Sequence, residues 1–153
     1  MRRPIKKRDP VRPDPIYQSV LVTKLVNYVM ERGKKDTARK VIYDAFEILK
    51  KDGEPATMLA TAIENVQPSL EVRSRRVGGA NYQVPTPVRP ERQLALALRW
   101  MRDAARSKKG KPMSQKLAAE ILAASKGEGD AIAKKENMHK MAEANKAVAH
   151  FAW

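Results

Sequence analysis

The sequence predicts an all-α bundle of about six helices, with a basic β-hairpin arm protruding at about residues 70–89. Three observations carry this reading. Apolar residues recur at three- and four-residue spacing in successive stretches, and Gly, Pro or capping residues punctuate them. Between Leu70 and Arg92 that period gives way to Val72, Val77, Tyr82, Val84 and Val88 around a Gly78-Gly79-Ala80-Asn81 turn, where Gly and Asn tolerate positive φ. With 153 residues and no cysteine, the chain suits one domain with a modest core and has neither disulfides nor thiolate metal sites.

Met1 to Pro15 carries Arg2, Arg3, Lys6, Lys7, Arg8 and Arg12 against Asp9 and Asp14. Four prolines forbid a regular helix and little is apolar, so residues 1–15 are expected to be a flexible basic tail lying along phosphates. The single helical domain is expected over 16–153. Ser19 is placed as the N-cap of a helix running to about Arg32, with Leu21, Leu25, Tyr28 and Val29 on its inner face. Gly33 ends it, and Lys34 and Lys35 follow where a helix C-terminus favours cations. Asp36 is placed as the cap of a second helix, which buries Ala38, Val41, Ile42, Ala45, Phe46 and Leu49 and stops at Gly53. Pro55 opens a third with Met58, Leu59, Ala62, Ile63 and Val66 inward, and Pro68 closes it.

In the arm, Arg73, Arg75 and Arg76 lie on the outgoing strand, while Arg89 and Arg92 guard the base. Pro85 and Pro87 cannot donate to a ladder, so the returning strand is an edge or leaves the pairing. A two-stranded ribbon is marginal by itself, and a cationic one gains order against a polyanion. Pro90-Glu91 opens a fourth helix with Leu94, Leu98, Met101 and Ala105 inward and Arg92, Arg99, Arg102 and Arg106 close to another face. Lys108, Lys109 and Lys111 make the next loop basic. Ser114 is placed as the cap of a fifth helix, with Leu117, Ala118, Ile121 and Leu122 inward. After Gly127 and Gly129 a sixth helix begins near Asp130, with a thin apolar face of Ala142, Val148 and Ala149.

The formal net charge is +14, which calls for a polyanionic partner. From Val72 to Lys116 there are twelve Lys or Arg against two acids, whereas Asp36 to Glu71 holds four basic and seven acidic residues. One side of the molecule is therefore built for the polyanion. No stretch approaches a membrane-spanning length of apolar residues, so nucleic acid is preferred over membrane. Catalysis finds no support. His139 and His150 are spaced too widely for a zinc site and read as surface residues, and Gly78-Gly79 lacks the Gly-Lys-Ser/Thr of a phosphate loop. Glu47, Glu64 and Glu120 show no pairing. No cofactor or metal is expected, and the location is cytoplasmic or within a bacterium-like organelle.

Longer strings are more specific. Arg73-Ser74-Arg75-Arg76-Val77-Gly78-Gly79-Ala80-Asn81-Tyr82-Gln83-Val84-Pro85, then Val88-Arg89-Pro90, Leu94 to Trp100 and Met138 to Ala147, resemble the bacterial-type seventh small-subunit ribosomal protein family. The Asp14-Pro15 and Gly33-Lys34-Lys35 segments fit as well, while Ala152-Trp153 departs from the family's basic-aromatic close. The resemblance implies a primary binder of small-subunit ribosomal RNA that nucleates assembly of the subunit head. It implies ribosomal RNA contact for Arg73, Arg75, Arg76, Arg92, Arg99 and Arg102. It also implies proximity of Val77, Gly78, Gly79, Ala80, Asn81 and Tyr82 to the exit-site transfer RNA. The ninth and eleventh small-subunit proteins are expected as neighbours, and no homo-oligomer is expected. The competing reading is a helical DNA-binding or regulatory protein, which lacks here a tight helix-turn-helix pairing or a heptad seam.

Overall fold

The structure, a computed structural model, describes residues 11–151. Among them are six α-helices, two strands and a short terminal 3-10 helix, in the order α1 (Val20–Val29), α2 (Lys35–Leu49), α3 (Pro55–Val66), β1 (Leu70–Val77), β2 (Ala80–Pro87), α4 (Pro90–Ser107), α5 (Met113–Ser125), α6 (Asp130–Ala144) and the 3-10 turn Lys146–Phe151. The molecule is mostly helical with a two-stranded antiparallel sheet, so "all-α" describes the bundle and not the arm. Among the described residues no helix is long and apolar enough to cross a membrane.

One apolar cluster joins the helices. Val22, Leu25, Ile42, Phe46, Leu49, Leu59, Ala62, Leu98, Met101, Leu117 and Ile121 are fully or almost fully buried in it. α5 lies at its centre, against α2, α3 and α4. Its Ala-rich sequence lets these neighbours approach closely. The small residues Ala97 and Ala104 of α4 are also buried, although the large apolar stripe alone would have left them out.

The helix starts differ from expectation in instructive ways. Ser19 is the N-cap residue of α1 but makes no side-chain cap bond, and α1 ends at Val29, short of Arg32. Asp36 and Ser114 are not caps: Lys34 precedes α2 and Pro112 precedes α5, so each lies inside the first turn. There Asp36 still meets the partial positive charge of the helix N-terminus and accepts a hydrogen bond from Arg39. Lys34 and Lys35 consequently stand at the start of α2 and not behind the end of α1. Pro55 and Pro90 do open α3 and α4, where a missing N–H costs nothing.

Asp14, expected within the flexible tail, is fixed against the bundle. It is 3% exposed, accepts the Ile16 and Tyr17 backbone N–H groups, and receives the Tyr43 hydroxyl of α2 at 2.9 Å. Tyr17 meanwhile packs edge-on against Phe46, 4.9 Å between ring centres. This segment is pinned to the bundle before α1 begins. Burial and the Asp14 hydrogen bond hold the Tyr43 phenol above its ordinary pKa.

Candidate nucleic-acid interface

The arm is one continuous ladder from Leu70↔Pro87 to Val77↔Ala80. Its reversal takes two residues only. Gly78 and Gly79 have φ of 55° and 89°, the mirror-image turn whose twist matches paired strands. Ala80 and Asn81, expected in the turn, belong to β2 and pair with Val77 and Arg76. Pro85 and Pro87 stay within the pairing, opposite Val72 and Leu70. Because side chains alternate along a strand, Arg73 and Arg75 share one face while Arg76 projects from the other.

The root of the arm is tied to the body at several points. Glu71 is buried, yet both its oxygens face arginines. Arg73 donates from Nε to Oε1 at 2.6 Å with a second guanidinium nitrogen alongside, and Arg92 of α4 donates from Nε to Oε2 at 3.3 Å. Burial alone would raise the Glu71 pKa. The hydrogen bonds and charges of Arg73 and Arg92 outweigh it and hold the carboxyl below its ordinary value. On the other side, Nε2 of His139 in α6 accepts the Ser69 backbone N–H at 3.1 Å, which requires the ring proton on Nδ1. His139 is thus a half-buried tether, not the idle surface histidine that its spacing suggested. Near the tip, the Tyr82 and Phe151 rings lie 5.3 Å apart, so the terminal 3-10 turn leans on β2.

The basic residues fall into two groups. Some are held by the protein itself: Arg102 pairs with Asp103 at 2.6 Å, and Arg106 pairs with Glu31 at 2.7 Å while donating to the Val29 carbonyl at 3.2 Å. That carbonyl belongs to the last turn of α1 and has no partner within its helix, so Arg106 closes α1. Lys108 reaches Oε2 of Glu120 at 2.5 Å. Glu120 is fully buried and also accepts the Ala131 N–H that starts α6. Arg12, Lys34, Lys35, Arg76, Arg89, Arg99, Lys109 and Lys111 form the second group. They are exposed and make no ion pair among the described residues. Arg2, Arg3, Lys6, Lys7 and Arg8 lie outside the described residues, as do Ala152 and Trp153. No group of three or more His, Cys, Asp or Glu that could hold a metal occurs among the described residues.

Glu71, Glu120, Asp14 and His139 are the positions that sequence reasoning passed over. A signal existed for Glu120. Leu117, Ile121 and Ala124 mark the buried stripe of α5, and Glu120 falls at three residues from Leu117, inside that stripe.

The geometry is that of a cationic arm and helix face on a rigid helical body, and the comparison with known proteins agrees with it. A profile of the family described as ribosomal protein S7p/S5e matches residues 1–146. The chain belongs to that family. It is therefore a ribosomal protein and not an enzyme. Among similar proteins, the small ribosomal subunit protein uS7 of Carboxydothermus hydrogenoformans is 57% identical over 99% of this chain and 98% of its own. The proteins of the same name from Thermotoga neapolitana and Thermotoga maritima are 54% and 53% identical over the full length of both chains. Membership of this bacterial-type family assigns the protein to the small ribosomal subunit in the cytoplasm.

Proposed function

We propose that this protein is a primary binder of small-subunit ribosomal RNA that nucleates assembly of the subunit head and holds its arm tip near the exit-site transfer RNA. The observation that carries this reading is the division of charge along the arm. Arg73, Arg75 and Arg76 line β1 up to the rungs beside the reversal, and Arg89, Arg92, Arg99 and Arg102 continue from its base onto α4, whereas the Gly78-Gly79 turn itself is uncharged and allows close backbone approach. Folded RNA is recognised largely through shape and phosphate, which suits exposed guanidinium groups on a rigid frame. Arg106 and Lys108, which are engaged within the protein, contribute mainly by shaping that frame. The residues ahead of Asp14, with Arg2, Arg3, Lys6, Lys7, Arg8 and Arg12, act as a tail along phosphates, and Lys34, Lys35, Lys109 and Lys111 extend the same footprint. The ninth and eleventh small-subunit proteins are the neighbours that the family resemblance suggests.

Crosslinking the protein to total cellular RNA, followed by identification of the attached RNA, tests the reading. The expected product is small-subunit ribosomal RNA recovered well above its share of the total. Recovery in simple proportion to abundance, or equal affinity for duplex DNA, overturns it.

A further inference from the structure

We infer that Glu71 is a positioning residue that sets Arg73 and Arg92 side by side as a clamp for one RNA phosphate at the root of the arm. The inference rests on the reading that this face meets ribosomal RNA. An acid on such a face is at first sight a liability, because it repels the ligand and sits buried at 5% exposure. Its geometry explains its presence. The two guanidinium groups come from different elements, one from β1 and one from the first turn of α4, and Glu71 is the group that both touch. Each engages it through Nε, so the two terminal nitrogens of Arg92 are left outside these hydrogen bonds. The arginines remain 55% and 46% exposed beside a carboxylate that is only 6% exposed. The acid is thus covered by the cations, and solvent meets donors and not the carboxylate. Thr86 Oγ1 donates to the Glu71 carbonyl and fixes the backbone beneath. Two oriented guanidinium groups match the oxygens of a single phosphate, and prior orientation reduces the freedom lost on binding.

Simple charge and positioning predict opposite signs, which makes the inference testable. Glu71→Gln raises the net charge by one unit. By charge alone it tightens RNA binding. If Glu71 positions the clamp, the substitution weakens binding to a transcript of the small-subunit ribosomal RNA about tenfold, the loss associated with one charge-assisted contact. It also makes the salt dependence shallower by about one phosphate. In an Arg73→Ala/Arg92→Ala background the same substitution has no such cost, because no clamp remains to be oriented.

Tighter or unchanged binding by Glu71→Gln, while Arg73→Ala/Arg92→Ala weakens it, overturns the inference and leaves the RNA reading intact. An equal loss in both backgrounds assigns the effect to general damage and overturns the inference too. If the double alanine variant binds like the parent, neither the clamp nor the RNA role of these two arginines survives. Melting followed by circular dichroism accompanies each variant. Should Glu71→Gln not fold, Arg92→Lys keeps the charge and removes the planar fork. Its expected loss is again about tenfold at an unchanged melting temperature, and parental affinity overturns the clamp.

Discussion

Asp14 and Tyr43 show how a single polar pair can fix the chain to the bundle ahead of α1. The buried carboxylate accepts two backbone N–H groups and one phenol, so losing the phenol leaves a buried charge short of a donor. Tyr43→Phe is expected to lower stability by about 1–2 kcal/mol, measured by urea denaturation at neutral pH. Removing residues 1–15 removes Asp14 as well and lowers the melting temperature more than removing residues 1–10. For Glu71 the sign of the pH dependence follows from its lowered pKa. The folded state holds the ionised form, so the stabilisation is complete above the ordinary value of 4.5 and is lost as pH falls through the lowered one. The stability difference between the parent and Glu71→Gln should therefore be flat from pH 8 to 5 and shrink below about pH 4.5. A difference that grows on acidification contradicts the assignment. These residues are the least legible part of the sequence. Asp14 stands among prolines and cations, and only the distant Tyr43 explains it, while Glu71 looks like one more acid beside a basic run. The information that gives each its role lies some twenty to thirty positions away.

At the scale of elements the sequence says far more. Helical periods with Pro at the first position located the starts of α3 and α4 to the residue, and the Gly78-Gly79 pair located the reversal of the arm. The capping errors at Asp36 and Ser114 have one cause: such residues serve either as caps or in a first turn, and local sequence does not separate the two. Strands of eight residues at ~3.3 Å each make the arm roughly 26 Å long, so the arginines along β1 and the uncharged reversal can do different work. Deleting Val77 to Tyr82 and closing the strands with a short turn should leave ribosomal RNA binding largely intact and loosen transfer RNA at the exit site. Replacing Arg73, Arg75 and Arg76 with Ala should weaken assembly first. Reconstituted subunits carrying each variant report both quantities. A tip deletion that abolishes assembly beside a harmless triple substitution contradicts this division.

Across the whole molecule, the +14 charge sets how strongly binding depends on salt, but only cations free to meet phosphate contribute. Arg99 is exposed and makes no ion pair among the described residues, whereas Arg106 is committed to Glu31 and Val29. Arg99→Ala should reduce the slope of log affinity against log salt by about one with little change in melting temperature. Arg106→Ala should do the reverse, lowering the melting temperature with a small change in slope. The two substitutions alter net charge equally, so equal effects on the slope would show that total charge, and not placement, governs binding. Sequence counting alone cannot distinguish these arginines, since both fall in the same sector of α4.

The prolines of β2 have a consequence for the protein before it meets any RNA. A two-residue reversal closes on a hydrogen-bonded pair, Val77 with Ala80, and the pairs then alternate back to the root. Pro85 and Pro87 fall in the non-bonded class, where a backbone nitrogen points away from the partner strand. Their missing N–H groups are therefore absent from the outer edge and not from the ladder. A second arm that tried to add itself there would find two donors gone, and cations of the same sign projecting from its own strands. The β2 edge thus resists strand-by-strand self-association while it remains open to the irregular surface of a folded polyanion. A newly made chain can keep this edge exposed in solution without its becoming a template for fibres.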